Sequence, residues 1–286
     1  NGPEINGVIK NVSGLHSVVY RAINRFQLTG TELADQIRVG PGADVIATGG
    51  GNDTIVGGGG ADVVSTGAGD DSINVAGGVL RLDGGEGLDR VLNLDLSAAT
   101  EDLRIDNSGQ RVVGGAITVV GIEIFEGLAT GSGQDRLDFS LLNANENLST
   151  AGGSDTILSG LGQDRVDGGA GDDLLVVDYS SLPEAMVAEI SGMNDREISG
   201  AIKNVSGHHY VAYQGINRFQ LTGSELADQI RVGPGADVIA TGGGNDTIVG
   251  GGGADVVSAG AGEDSINVDG GVLRLDGGEG LDRVLN

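Results

Sequence analysis

Gly57-Gly58-Gly59-Gly60-Ala61-Asp62-Val63-Val64-Ser65 is one of seven consecutive nonapeptides that fill the chain from Gly30 to Leu92. The others read GTELADQIR, VGPGADVIA, TGGGNDTIV, TGAGDDSIN, VAGGVLRLD and GGEGLDRVL. All but one place Asp sixth, and the eighth position is always aliphatic: Ile37, Ile46, Ile55, Val64, Ile73, Leu82 and Val91. A nine-residue period suits no α-helix, whose apolar stripe recurs at three and four residues. It suits a six-residue turn followed by a three-residue strand. Glycine permits the positive-φ backbone of such a turn, the Asp points into it, and the aliphatic residue faces inward. A repeat of this kind stacks into a β-solenoid, since one unit cannot bury its own apolar face.

A longer repeat contains the short one. Residues 1–93 recur as 194–286, with 80 of the 93 positions identical and Glu32–Ser65 returning unchanged as Glu225–Ser258. The nonapeptide register therefore returns over residues 223–286. Between the copies, TGSGQDRLD stands at Thr130–Asp138 and three more nonapeptides run from Thr150 to Val176, separated by an interruption at Phe139–Ser149. The expected organisation is a β lead-in at 1–29, a first block at 30–92 and a non-repeat β segment at 93–129. A second block at 130–176, a linker and lead-in at 177–222 and a third block at 223–286 complete it. Short strands are expected at Glu4–Val12, His16–Leu28, Leu103–Ile105, Arg111–Val113, Ile117–Val120 and Ile122–Phe125, and one helical turn after Pro183. Ile23-Asn24-Arg25-Phe26, Ile122-Glu123-Ile124-Phe125 and Ile216-Asn217-Arg218-Phe219 each precede a block and read as lead-in coils that place a Phe inside. The chain starts and stops within its pattern, as a slice of a longer tandem array would.

Composition narrows the function. Fifty-five glycines and 3% aromatics leave little for a conventional globular core, and the formal net charge is −25. A chain so acidic repels itself unless cations neutralise it. Sixteen Lys and Arg against 41 acids argue against nucleic acid as a partner. Cysteine is absent, which removes disulfides and thiolate metal sites. No apolar run is long enough to span a bilayer as a helix, and no signal peptide is visible. The histidines His16, His208 and His209 accompany no nucleophile elbow or HExxH and read as surface residues, so no catalytic site is expected. The glycine runs lack the lysine of a phosphate loop, and the sequons at Asn11, Asn52 and Asn147 read as chance.

The nonapeptides resemble the repeats-in-toxin (RTX) family, whose consensus is G-G-x-G-x-D-x-(aliphatic)-x. Gly57–Ser65, Gly84–Leu92 and Gly168–Val176 satisfy every fixed position. The resemblance implies an all-β fold, an elongated right-handed parallel β-roll with two nonapeptides per coil and calcium ions in rows along both edges. Each ion would lie between successive loops on one edge, held by Asp carboxylates and backbone carbonyls of the glycine turns at about 2.3–2.6 Å. One edge of the first block would carry Asp35, Asp53, Asp71 and Asp89, and the other Asp44 and Asp62, ending at Leu80. In the last block the rows are Asp228, Asp246, Asp264 and Asp282, opposite Asp237 and Asp255. Asp155 and Asp173 stack in the middle block, opposite Asp164, and Asp135 has one clear neighbouring loop. The turn carbonyls would come from Gly49, Gly51, Gly58, Gly60, Gly67 and Gly69, and from Gly242, Gly244, Gly251 and Gly253. Leu80 and Leu273 replace the Asp, so that edge should lose an ion there and pack an apolar side chain in its place. Thr31 and Leu33 replace turn glycines, which weakens Asp35 as a ligand.

Facing carboxylates would repel until a divalent ion neutralises them, so folding and binding should be one event. The resemblance further implies one-step export in an unfolded state to the cell exterior or the bacterial surface. Two function classes follow. One is a calcium-rigidified tandem-repeat fibre, surface layer or adhesin with further copies of itself as partner. The other is the secretion and folding module of an exported enzyme or toxin. The near-identical long repeats favour the first.

Overall fold

The computed structural model describes residues 6–10, 17–21, 23–77, 79–105, 112–114, 117–193, 198–268 and 270–285. Every regular element among them is a strand. The chain divides into two compact units, Asn1–Gly131 and Ser132–Asn286.

In the first unit, strands Gln27–Thr29, Val45–Gly50, Asp62–Ala68 and Val79–Glu86 pair in parallel, with Gln27 opposite Val45, Val45 opposite Val63 and Val63 opposite Arg81. A second parallel set is Gln36–Arg38, Thr54–Val56, Ser72–Gly77 and Arg90–Asp95, aligned Gln36, Thr54, Ser72, Arg90. Both registers advance by two nonapeptides. A coil is therefore two repeats, as the resemblance implied, and consecutive repeats alternate between the two sheets. The eighth-position aliphatics close the interior: Ile46, Ile55, Val64, Ile73, Leu82 and Val91 are all buried. Burying a side chain of this size is worth about 1.5–3 kcal/mol. Strands of three residues gain stability only as such a stack.

The solenoid is not parallel throughout. Arg104–Ile105, Val112–Gly114 and Ile117–Val120 form an antiparallel meander. Its last strand then resumes parallel pairing on Val79–Glu86, and Ile124–Thr130 does so on Arg90–Asp95. Two reversals restore the original strand direction, so a meander can be inserted without breaking the stack.

The second unit uses the same device. One sheet orders Arg136–Asp138, Thr156–Ser159, Leu174–Asp178, Arg218–Thr222, Val238–Ala240, Val256–Ser258 and Arg274–Asp276, all parallel. The other begins with Asn147–Thr150, Gln163–Asp167 and Tyr210–Gln214. It then turns antiparallel through Ile198–Asn204 and Met186–Met193. Parallel pairing returns at Gln229–Arg231, Thr247–Gly251, Ser265–Val268 and Arg283–Leu285. The hairpin Ile198–Asn204/Tyr210–Gln214 has its counterpart 193 residues earlier in the hairpin Asn6–Lys10/Ser17–Arg21.

Three expectations change. No helical turn follows Pro183: the chain bends there and Met186 opens a strand. Leu273 does not pack into the edge, being 75% exposed; the side chain of Leu80 lies outside the described residues. Phe139–Ser149 is not a break in the solenoid. Arg136 stands opposite Thr156, and Asn147–Thr150 supplies the intervening strand, so this stretch is a half-coil two residues longer than the standard one. Phe125 and Phe219 do point inward, fully buried as are Ile122 and Ile216, whereas in the first lead-in motif Phe26 is half-buried and Ile23 exposed.

Candidate metal centre

Most sixth-position Asp residues sit where a glycine turn enters a strand, so the side chain lies inside the loop and is shielded from water, although Asp35 and Asp282 are only half-buried. Two glycines shape the turn. Gly58 has φ +75°, and a Cβ there would lie 2.7 Å from the Val39 carbonyl oxygen. Gly67 has φ +102°, and a Cβ would run into the Gly49 carbonyl oxygen one coil away. Only glycine allows the loops to stack this closely.

The carboxylates form hydrogen-bonded ladders. In the first unit Asp35, Asp53 and Asp71 donate their backbone N–H to Oδ1 of Asp53, Asp71 and Asp89, at 2.8, 2.7 and 2.9 Å. On the other edge Phe26 and Asp44 donate to Oδ1 of Asp44 and Asp62, at 2.7 and 2.9 Å. The second unit repeats this. Met186, Asp228, Asp246 and Asp264 donate to Asp228, Asp246, Asp264 and Asp282. Phe219 and Asp237 donate to Asp237 and Asp255. Asp135 and Asp155 donate to Asp155 and Asp173. The bonds at Asp44 and Asp237, one long repeat apart, have the same 2.7 Å length.

These bonds occupy one oxygen. The other, Oδ2, is buried without a hydrogen-bond partner in Asp44, Asp53, Asp62, Asp71 and Asp89, and in Asp155, Asp173, Asp237, Asp246 and Asp264. A threonine hydroxyl stands beside several of them, but its proton is committed elsewhere: Thr66, Thr150 and Thr241 donate to the carbonyls of Gly84, Gly168 and Ala259. Burial is the main cause that pushes Asp62, Asp89 and Asp246 up to about 6, and Asp173 and Asp237 up to about 7. Backbone N–H bonds oppose this shift, while the next carboxylate along the row adds to it. Asp44, Asp71, Asp155, Asp228 and Asp255 are raised for the same leading reason.

A buried, repelling, half-satisfied row of carboxylate oxygens is costly unless paired or bound to a cation. Oxygen donors of this kind suit a hard divalent ion. Among the described residues no three acidic or histidine side chains converge on a point. Each position therefore offers one or two carboxylates, and turn carbonyls would have to complete the shell. A calcium ion bound here would neutralise successive loops.

The family model of the RTX calcium-binding nonapeptide repeat matches the chain in overlapping windows that cover 29–91, 142–175 and 222–284, together more than half of its length. The chain belongs to the RTX calcium-binding repeat family. It is a calcium-binding repeat protein, and the RTX solenoid is a structural fold. No curated protein matches the chain.

Not every sixth-position residue of this RTX chain is equally open. Asp35 Oδ2 accepts the Thr31 N–H and hydroxyl, and Asp228 is saturated by Met186 and Ser224, so the first loop of each long repeat is filled by protein groups. Asp164 Oδ2 is taken by the Ser159 hydroxyl.

Three row members escape sequence reasoning. Glu146 donates its N–H to Asp164 Oδ1 at 3.1 Å, standing where an Asp would stand in a nonapeptide without glycines, LLNANENLS. Its signal is the aliphatic Leu148 two residues later. Burial, then the Asp164 carboxyl beside it, pushes Glu146 up to about 9. Glu123 Oε2 and Asn217 Oδ1 receive the N–H groups of Asp89 and Asp173 at 2.8 and 3.1 Å. Both lie in the Ile-x-x-Phe lead-in motif, in which the sequence pattern explains only the Phe. His208 is exposed and its Nδ1 lies 2.7 Å from Ser206 Oγ within a turn. His209 is half-buried rather than on the surface.

Proposed function

We propose that this protein is a segment of a calcium-rigidified tandem-repeat protein, exported and ordered outside the cell as part of a fibre, surface layer or adhesin. The observation that carries this reading is the recurrence of the 193-residue unit with its carboxylate ladder intact: Asp44/Asp62 and Asp53/Asp71 return as Asp237/Asp255 and Asp246/Asp264. Near-identical copies preserve geometry along an array, whereas a single catalytic centre gains nothing from duplication. Low cytosolic calcium would leave the Asp rows unneutralised and the chain unfolded, which suits passage through a secretion channel. The Asp positions whose Oδ2 is unpartnered are the proposed calcium ligands and Glu123 and Asn217 the row ends, with the carbonyls of Gly49, Gly51, Gly58, Gly60, Gly67 and Gly69 and their second-copy equivalents, while Asp35, Asp164 and Asp228 would bind only by giving up their present partners.

The test is sedimentation and negative-stain electron microscopy of chains with one, two and three long repeats, in calcium and in EGTA. The reading expects rods that lengthen in proportion to repeat number in calcium and expanded coils in EGTA. Rods of constant length, or shape unaffected by calcium, would contradict it.

A further inference from the structure

The two parallel sheets turn different residues outward. In the second unit one sheet aligns Gln229, Thr247, Ser265 and Arg283 in an outer column, all polar. On the other sheet the strand registers align Asp138, Leu158, Val176, Gln220, Val238, Val256 and Arg274. These alternate along their strands with the buried Leu137, Ile157, Leu175, Leu221, Ile239 and Val257, so they face away from the interior. Gln220, Val238 and Arg274 are exposed and the other four half-buried. The column is chemically symmetric about its middle. Two aliphatic residues stand on each side of Gln220, with an acid at one end and a base at the other. In a chain of net charge −25, this strip carries one charge of each sign.

We propose that this column docks face to face on the same column of a second copy of the protein, about a two-fold axis running along the Gln220 strand. That axis sets Leu158 against Val256 and Val176 against Val238. Gln220 meets Gln220, and the two amides can exchange hydrogen bonds. Asp138 then meets Arg274 at both ends. The other isologous arrangement, with its axis along the column, would face every residue with itself, Asp138 against Asp138 and Arg274 against Arg274. Charge therefore selects the antiparallel pairing. Arg136 and Asp276 already pair with Asp138 and Arg274 at 3.3 Å, so each end becomes a network of four charges. Strands about 4.8 Å apart and three residues long give the strip about 300 Å² per partner. A standard stable interface has about 800 Å² per partner. One such strip pairs weakly, and the pairing tightens as long repeats add strips along an array. That growth rests on the array reading, whereas the pairing of a single strip does not.

Sedimentation velocity of the full chain in calcium, over a range of concentrations, should show a reversible monomer–dimer equilibrium. Val238→Lys should weaken it by about tenfold or more. Thr247→Lys, on the polar sheet, should leave it unchanged, and circular dichroism in calcium checks that both variants fold. Should Val238→Lys fail to fold, Val238→Thr takes its place. Asp138→Arg and Arg274→Asp should each weaken the dimer, and the two together should restore it, because the exchanged charges meet again. The doubly substituted chain should not pair with the parent. A chain with one further long repeat should dimerise about tenfold more tightly or better. A parent chain that stays monomeric, equal loss in Val238→Lys and Thr247→Lys, or no rescue in the double variant would overturn the pairing. So would a monomeric chain that binds phospholipid vesicles through Val238, since the occupant would then be a membrane. An extended chain no tighter than the parent would overturn the addition of strips along an array. Rods that lengthen with repeat number but never pair would sink the docking surface and leave the array reading standing.

Discussion

Replacing Asp62 by Asn should have opposite effects with and without calcium. The amide oxygen can still accept the Asp44 N–H, now bonded at 2.9 Å, so the ladder geometry survives. What disappears is the charge on Oδ2, which is buried and unpartnered. Burial, with Asp44 adding, raises Asp62 from 3.8 to about 6. At about 1.4 kcal/mol per unit, the ionised carboxylate destabilises the metal-free fold by at most roughly 3 kcal/mol near pH 7.5. The sign follows from linkage. A raised folded value means the fold holds the proton more tightly than the unfolded chain does. The penalty is therefore absent below pH 4 and complete above pH 6. In EGTA, Asp62→Asn should need less trimethylamine oxide to reach the folded β spectrum than the parent does. In calcium it loses a ligand charge, and the calcium midpoint of folding should rise by about tenfold, since affinity follows ligand charge count. Paired circular dichroism titrations read both. A variant that is weaker in both conditions, or unchanged in both, would refute the argument that Oδ2 is held in place for a cation.

Acidifying the metal-free protein from pH 8 to pH 5 should increase its β signal, because Asp62, Asp89, Asp173, Asp237 and Asp246 shed their charge penalty as pH falls through about 6 to 7; a loss of signal would oppose it. Gly67→Ala, at φ +102° and against the Gly49 carbonyl, should cost about 1–3 kcal/mol or more by urea denaturation in calcium, while Gly152→Ala, which meets only the Ala170 carbonyl oxygen at 3.4 Å, should cost far less. Ile55→Ala empties a place in the interior ladder and should cost about 2–5 kcal/mol, against about 0.5 kcal/mol or less for Val45→Ala on the partly exposed face.

The parts of the fold that are legible in the sequence are those where one residue type has one physical use. Gly58 and Gly67 mark positive-φ turns, Ile55 and Val64 mark the interior, and Asp53 and Asp62 mark the loop, so the nine-residue unit follows from spacing, while the eighteen-residue register comes from the family resemblance. Reading fails where substitution preserves geometry while altering identity. Glu146 keeps the row going without any glycine, and Asn217 caps a row through a neutral amide. The antiparallel strands Ile198–Asn204 and Met186–Met193 carry the same alternation as parallel ones, so direction is invisible in sequence. Ligand quality is partly legible: the loss of glycines at Thr31 and Leu33 marks Asp35 as weak, and Thr31 does fill its oxygen. Nothing comparable marks Ser159, whose hydroxyl takes the Asp164 oxygen five residues on.

The central claim is that the buried carboxylate rows make folding and calcium binding a single event. Far-ultraviolet circular dichroism and calcium binding, followed on the same sample as calcium is added to the EGTA-treated chain, test it most directly. The account predicts little β signal before calcium and one cooperative rise whose midpoint coincides with ion uptake. Full β signal in EGTA, with calcium binding afterwards and no spectral change, would contradict it.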